Sequence, residues 1–127
     1  MEEYDIIVPV PMYKAKLKQR GFCQTTLIAK NLAEFTGKPV STDNLVRKRN
    51  TPAMSGLDED SRKQNVKNAF GIADAEEFLG KRVLLLDDVL TTGSTADECA
   101  YQLKRAGAEK VFLAVFASAA DDDIEMS

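Results

Sequence analysis

Val-Leu-Leu-Leu-Asp-Asp-Val-Leu-Thr-Thr-Gly-Ser-Thr occupies residues 83–95 and joins an apolar run to a hydroxyl-rich one. The apolar run predicts a strand over residues 81–87, and a strand that is apolar on both faces is typical of a parallel sheet covered by helices on both sides. A helix is predicted directly afterwards, over residues 94–106, because four small or apolar residues recur there at helical spacing: Ala96, Cys99, Ala100 and Leu103. The stretch therefore connects the end of a buried strand to the start of a helix.

Further strands and a second helix are predicted on either side of this stretch. A helix is expected over residues 24–36, ending at Gly37, and its buried stripe is expected to comprise Leu27, Ile28, Leu32 and Phe35. Strands are expected over residues 4–11, 43–49, 69–73 and 111–116. Residues 50–68 are polar, and a connection of that length is usually functional or mobile. Strands that alternate with helices predict an α/β fold, in which helices flank both faces of a parallel sheet.

The composition is that of one globular domain. The chain has 127 residues, of which 44% are hydrophobic and 29% charged, and this length is close to the commonest for a domain. We expect the domain to span residues 1–120 and residues 121–127 to form a disordered acidic tail. No run approaches the roughly 20 apolar residues that cross a bilayer, and the acidic N-terminus is unlike a signal peptide. Two widely separated cysteines, Cys23 and Cys99, then favour a cytoplasmic chain with reduced thiols.

The sequence contains no histidine. This excludes a zinc site of the usual Cys/His kind and catalysis by Ser-His-Asp or Cys-His groups. The net charge of −3 is unevenly distributed, since residues 1–70 hold 12 basic and 8 acidic residues whereas residues 71–127 hold 5 and 12. The basic charge is thus concentrated in the first part of the chain and the acidic charge in the second.

Asp87 and Asp88 end the apolar strand, and ligands of parallel sheets bind beyond the carboxyl ends of the strands. The loop and helix start that follow offer backbone N–H groups and hydroxyls to a phosphate, and Gly93 permits its close approach. Two carboxylates beside a phosphate are favourable when they accept hydrogen bonds from vicinal hydroxyls or hold a metal ion. A ribose 5-phosphate offers both features. Each element alone is more often a turn or a helix cap, but their combination within residues 83–95 favours a functional site.

Residues 83–95 closely resemble the phosphoribosyl-pyrophosphate (PRPP) binding motif of type I phosphoribosyltransferases. Shorter segments narrow the resemblance to the competence protein F (ComF) family of amidophosphoribosyltransferase-like proteins: residues 8–11, 20–24, 45–47, 51–52, 62, 65 and 69–70. The resemblance extends over about residues 6–118. It implies the type I phosphoribosyltransferase fold. It also implies a glycosyltransferase that transfers a pentosyl group from PRPP, uses Mg²⁺ and releases pyrophosphate.

The resemblance implies roles for individual residues. As the catalytic pair, Asp87 and Asp88 meet the ribose 2′- and 3′-hydroxyls, and they hold Mg²⁺ weakly through those hydroxyls or through water. The 5′-phosphate is cradled by Thr91, Thr92, Gly93, Ser94 and Thr95. The pyrophosphate loop comprises Pro9, Val10, Pro11, Met12 and Tyr13. The pyrophosphate charge is neutralised by Arg20 and, from the long polar connection, by Arg62, Lys63 and Lys67.

Two positions depart from the family pattern, because Cys23 stands where asparagine is usual and Met54 where glutamine is usual. Members of the family also carry a zinc ribbon and a helical segment ahead of this domain, and we expect this chain to lack both. The sheet face that the helical segment would cover is then an exposed apolar surface. Such a surface favours a homodimer.

Two functions remain open. The first is a Mg²⁺-dependent phosphoribosyltransferase of nucleotide metabolism. The second is a non-catalytic factor that binds PRPP or a nucleotide and assists DNA uptake in competence, as the association of the family suggests. A nucleic-acid contact is compatible with Lys14, Lys16, Lys18 and Arg20 but is not required, because the net charge is negative and no aromatic residues interleave in a stacking pattern.

Overall fold

A computed structural model describes residues 3–11, 23–48, 69–88 and 93–116, with their side chains except at positions 93 and 94. The strands are β1 (Ile6–Pro9), β2 (Leu45–Arg47), β3 (Phe70–Ile72), β4 (Arg82–Asp88) and β5 (Lys110–Phe116). The helices are α1 (Gln24–Thr36), α2 (Gly93–Arg105) and a 3₁₀ helix (Ala75–Phe78). The strands and the two longer helices confirm the predicted elements, with ends that agree within two residues.

In the described part of the chain, the main sheet has three parallel strands in the order β1-β4-β5. β4 lies in the middle, so that Ile7 pairs with Leu84 on one side of it and Leu84 pairs with Phe112 on the other. The outer edge of β1 is joined at one bridge, where the Ile7 N–H donates to the Pro39 carbonyl at 3.0 Å and the Ser41 N–H donates to the Ile7 carbonyl at 2.9 Å. The central position of β4 explains why its side chains are apolar in both directions.

The two longer helices cover opposite faces of this sheet. On one face lies the α2-side core, which includes Leu45, Phe70, Phe78, Val83, Leu85, Cys99 and Leu103. On the other face lies the α1-side core, which includes Tyr4, Ile7, Ala29, Ala33, Leu84 and Leu86. Alternate residues of β4 enter the two cores, because successive side chains of a strand point to opposite faces. The predicted parallel sheet with helices on both faces is therefore confirmed.

β2 and β3 form a separate antiparallel pair, in which Leu45 lies opposite Ile72 and Arg47 opposite Phe70. The expectation of a uniformly parallel sheet did not include this pair. Leu45 and Phe70 are almost completely buried, and both belong to the α2-side core. The pair thus packs on the face of the main sheet that α2 covers.

Helix α1 has the predicted bounds, and Gly37 ends it with a φ of 77°, a backbone conformation that glycine adopts without strain. Its predicted buried stripe is wrong in part, however. Leu27 is 48% exposed and Phe35 is 89% exposed, whereas Ala29 and Ala33 pack on the sheet and Ile28 and Leu32 are partly buried beside them. Small side chains at positions 29 and 33 allow the helix to approach the sheet closely, which leaves the large residues on its flanks.

Helix α2 confirms the predicted buried stripe. Ala96, Cys99 and Leu103 are each at most 6% exposed, and Ala100 packs against the same core. The helix ends one residue earlier than predicted, at Arg105, and Gly107 follows with a φ of 104°. Among the described residues, no helix is long and apolar enough to cross a membrane.

Candidate active site

The carboxyl ends of β1 and β4 meet at one edge of the sheet. Pro9 is paired with Leu86, and the Val10 N–H donates to the Leu86 carbonyl at 2.9 Å. This bond is one residue beyond the last strand pair, so the segment after β1 begins beside the residue that precedes Asp87. The structure therefore brings residues 9–11 and the acid pair to the same edge, as the sequence predicts.

The two acids of the pair occupy different environments. Asp87 follows Val83 and Leu85 in the alternation along β4, which directs it toward the α2-side core, and it is only 4% exposed. Asp88 follows Leu84 and Leu86, which directs it toward the α1 side, and it is half-buried. The Asp88 N–H donates to Asp87 Oδ1 at 2.8 Å. The Asp87 carboxylate is thus buried, whereas Asp88 lies half-buried at the edge of the sheet.

A buried carboxylate needs compensating charge or hydrogen bonds, because burial removes its hydration. Besides the Asp88 N–H, Asp87 has a cation within electrostatic reach, the half-buried guanidinium of Arg47 on β2. Burial lowers the pKa of Arg47, and the negative charge of Asp87 acts in the opposite direction. A cationic side chain on the α2 side of the sheet therefore offsets part of the charge of Asp87.

Cys99 lies in the same environment and is completely buried. Burial raises the pKa of its thiol well above the ordinary value, and the charge of Asp87 adds to this effect while Arg47 opposes it. A thiol in this state is protonated at neutral pH and is not a nucleophile. The prediction that Cys99 is a small core residue is confirmed.

The first turn of α2 lies beyond the same edge, after the short segment that follows β4. The helix begins at Gly93, so Thr95 lies within its first turn, and the Thr95 side chain is 2% exposed. Free N–H groups at a helix N-terminus, together with the helix dipole, are suited to bind an anion. The arrangement of a strand end, two carboxylates and a helix start agrees with a site for a phosphorylated sugar.

Part of the predicted site falls outside the described residues: Met12, Tyr13, Arg20, Arg62, Lys63, Lys67, Thr91 and Thr92. Of Gly93 and Ser94 only the helical backbone is described. The residues that the structure does bring to one edge are Pro9, Val10, Pro11, Asp87, Asp88 and Thr95. Their individual roles stay predictions.

The sequence interpretation missed Arg47 as a member of this neighbourhood. Its signal was present in the strand pattern, because Leu45 is buried, Val46 is exposed and Arg47 follows on the side of Leu45. A charged residue at an inward position of a strand needs a partner. The identity of that partner depends on the β2–β3 pair, which local patterning does not predict.

A second polar cluster lies elsewhere, around a concave surface lined by residues 40–44, 73, 74 and 77. There Glu77 Oε1 accepts hydrogen bonds from Ser41 Oγ and Asn44 Nδ2, both at 2.7 Å. Asn44 Oδ1 accepts from the Asp74 N–H at 2.7 Å. These bonds tie the segment before β2 to the 3₁₀ helix, which gives the cluster a structural role.

Comparisons with known proteins identify the family. A family model described as a phosphoribosyl transferase domain matches residues 20–125. Competence protein F from Haemophilus influenzae is 37% identical over 108 residues, which are 84% of this chain and 47% of that protein. DNA utilization protein YhgH from Salmonella typhi is 37% identical over 107 residues, 84% of this chain and 46% of that protein. The chain thus spans about half the length of the curated relatives it matches.

The fold is also found among solved structures. Glutamine phosphoribosylpyrophosphate amidotransferase from B. subtilis, solved in complex with ADP and GMP, superposes with a TM-score of 0.59 and 24% identity. The match covers 89% of this chain and 22% of that one. This likeness confirms the predicted phosphoribosyltransferase fold, and the two sequence relatives confirm the resemblance to competence protein F. The chain belongs to the phosphoribosyl transferase domain family.

Proposed function

We propose that this domain binds PRPP, or a nucleotide with a ribose 5-phosphate, at the edge formed by residues 9–11, Asp87, Asp88 and the start of α2. The observation that carries the proposal is the acid pair at the carboxyl end of β4, between the end of β1 and a helix N-terminus. Carboxylates accept hydrogen bonds from vicinal hydroxyls, and a helix start suits a phosphate. A ribose 5-phosphate presents both groups at once.

The donor set is compatible with Mg²⁺ that arrives with its substrate. Mg²⁺ prefers oxygen ligands, keeps several waters and is commonly held by one or two carboxylates together with substrate phosphates. Asp88 is a half-buried carboxylate at the edge, and no group of three or more possible ligands occurs among the described residues. As the resemblance implies, Asp87 and Asp88 would hold the ion through ribose hydroxyls or water. When bound, the ion would neutralise charge on the leaving pyrophosphate.

In the proposed reaction a nucleophile attacks C1 of the ribose, the bond from C1 to pyrophosphate breaks, and the pyrophosphate leaves with the bonding electrons. The protein supplies orientation and electrostatic stabilisation more than proton transfer. Asp87 and Asp88 orient the sugar through its hydroxyls, and the N–H groups at the start of α2 fix the 5′-phosphate. Segment 9–11 runs beside the pair and leads to the predicted pyrophosphate loop. The absence of histidine from the sequence is compatible with this chemistry.

The test is calorimetric titration of PRPP with Mg²⁺ into the wild type and into Asp87→Asn/Asp88→Asn. Each hydrogen bond to a charged group contributes roughly 1.5–3 kcal/mol, so loss of both charges is expected to weaken binding at least tenfold. The control is Asp97→Asn/Glu109→Gln, which removes two exposed carboxylates, one on α2 and one just before β5. Equal affinity of the acid-pair variant and the wild type would refute the site.

A second candidate is a non-catalytic factor that binds PRPP or a nucleotide and serves DNA uptake. It is favoured by the similarity to competence protein F and to a DNA utilization protein. Measurement of pyrophosphate release from Mg²⁺-PRPP, with each nucleobase and with ammonia as acceptor, separates the two. Binding without release under every condition would support the accessory role, whereas release with any acceptor would support the transferase.

The remaining partners are part of the proposal. A homodimer is supported by Leu113 and Val115 of β5, which are 51% and 52% exposed. Sedimentation velocity of the wild type and of Leu113→Ser/Val115→Ser tests it, and a monomeric wild type would contradict it.

Cytoplasmic location follows from the proposed substrate, since PRPP and nucleotides are cytoplasmic metabolites. The residues considered for nucleic-acid contact lie outside the described part of the chain.

A further inference from the structure

Arg47 ends β2 on the inward side of that strand. Leu45 is 2% exposed and Val46 is 36% exposed, and the alternation of a strand places Arg47 on the same side as Leu45. The guanidinium carbon of Arg47 lies 5.1 Å from the centroid of the Phe70 ring. A guanidinium stacked on an aromatic face is held in a defined orientation. The ring of Phe70 is itself buried, so it forms a fixed platform for this cation.

Asp87 faces the same core from the main sheet. It continues the alternation of Val83 and Leu85, which belong to the α2-side core together with Leu45 and Phe70. The end of β2 and the end of β4 therefore direct a cation and an anion into one region, which Cys99 of α2 also borders. The charge of Asp87 acts on both Arg47 and Cys99.

This arrangement resolves a difficulty of the candidate site. Asp87 is almost completely buried, it has the carboxylate of Asp88 next in sequence, and the proposed ligand is a polyanion. A buried carboxylate in that position would be destabilised in its charged form. Arginine remains protonated in proteins and presents several N–H donors in a fixed plane, so a cation on the core side offsets this cost.

We propose that Arg47 is a positioning residue for Asp87: stacked on Phe70, it stabilises the charged Asp87 carboxylate from the core side, so that Asp87 is held in the orientation in which it meets the ribose hydroxyls. This role rests on the proposed function, because it assigns Arg47 to the sugar-binding part of that site. Arg47 touches neither substrate nor metal in this arrangement. Its effect on binding passes through Asp87.

The test is a double-mutant cycle of Arg47→Met and Asp87→Asn, read as affinity for PRPP with Mg²⁺. In the wild-type background Arg47→Met is expected to weaken binding about tenfold, because it removes a charge-assisted interaction with Asp87. In the Asp87→Asn background the same change is expected to have less than about a twofold effect, because the group through which Arg47 acts is no longer charged. Arg47→Lys keeps the charge and is expected to recover part of the loss.

Lys48→Met is the matched control, because it removes a positive charge from the neighbouring residue, which is exposed. Its affinity for PRPP is expected to stay closer to the wild-type value than that of Arg47→Met. Circular dichroism checks that each variant folds. Where Arg47→Met alone does not fold, Arg47→Lys and the double variant, which removes both charges, allow the same comparison.

A second readout separates positioning from a general loss of structure. The wild type is expected to bind ribose 5-phosphate more tightly than 2-deoxyribose 5-phosphate, because the latter lacks one of the hydroxyls that the acid pair accepts from. Arg47→Met is expected to reduce this preference, whereas a purely structural defect would lower the affinity for both ligands by the same factor. Equal weakening, or effects of Arg47→Met and Asp87→Asn that simply add, would overturn the positioning role. A wild type that does not bind Mg²⁺-PRPP would contradict the proposed function itself, and the positioning role with it.

Discussion

Asp87→Asn and Asp88→Asn are expected to differ in their effects on stability, although both remove one charge from the same site. Asp87 is 4% exposed and accepts the Asp88 N–H at 2.8 Å, whereas Asp88 is half-buried at the end of β4. Asparagine at position 87 keeps an oxygen that can accept the N–H. It loses the negative charge that acts on Arg47.

The magnitude follows from these contacts. Replacing a charged acceptor by a neutral one costs about 1 kcal/mol, the difference between the two classes of hydrogen bond. The charge of Asp87 also acts on Arg47, which is half-buried, and a solvent-screened interaction of this kind contributes about 1 kcal/mol or less. We therefore expect Asp87→Asn to lower the free energy of unfolding by about 1–2 kcal/mol. Asp88→Asn is expected to change it by less than about 1 kcal/mol.

Urea denaturation followed by circular dichroism measures both values, with Asp97→Asn, an exposed acid on α2, as the control. The slope of the unfolding free energy against urea should be the same in all four proteins, since none of the changes alters the area exposed on unfolding. Equal stability of the two acid variants would refute the assignment of Asp87 to a buried, cation-supported position. So would an Asp87→Asn variant that is more stable than the wild type.

Thiol reactivity, acid stability and helix packing provide three further tests. In the native protein a thiol reagent should label the half-exposed Cys23 and reach the fully buried Cys99 only after unfolding; rapid labelling of both would contradict this. The Arg82 guanidinium donates to Asp5 at 2.9 Å and holds the pKa of that carboxyl far below its ordinary value of 3.8. This pair therefore stabilises the folded state above about pH 4, and its contribution is lost as the pH falls below that value. Asp5→Asn should therefore be less stable than the wild type at pH 7, by a margin that shrinks toward about pH 2; a margin independent of pH would argue against the pair. Phe35→Ala should change stability by less than about 0.5 kcal/mol, because Phe35 is 89% exposed, and a loss of about 3–5 kcal/mol would instead place it in a core.

Local sequence patterns predicted the strands and helices because the spacing of apolar residues within one segment shows which of its faces are buried. The uniformly apolar residues of β4 are explained by its place between β1 and β5, with a helix on each face. The same logic failed for α1. Large apolar residues indicated a buried stripe through Leu27 and Phe35. The residues that pack on the sheet are instead the small Ala29 and Ala33, which permit close approach of the helix to the sheet. Periodicity weighted by hydrophobicity does not register that preference.

The candidate site was predictable to the same extent. Asp87 and Asp88 end a strand whose neighbours are parallel, and parallel strands end at a common edge, so the strand pattern alone locates the pair. Arg47 lies on the side of the α2-side core because β2 pairs with β3 across an intervening segment and both strands pack on that side. Pairing of that kind is a long-range property, and local patterns carry little information about it. The visible sign in the sequence was an arginine at an inward position of a short strand. Such a residue predicts a buried anion nearby, and in this fold the end of β4 supplies one in Asp87.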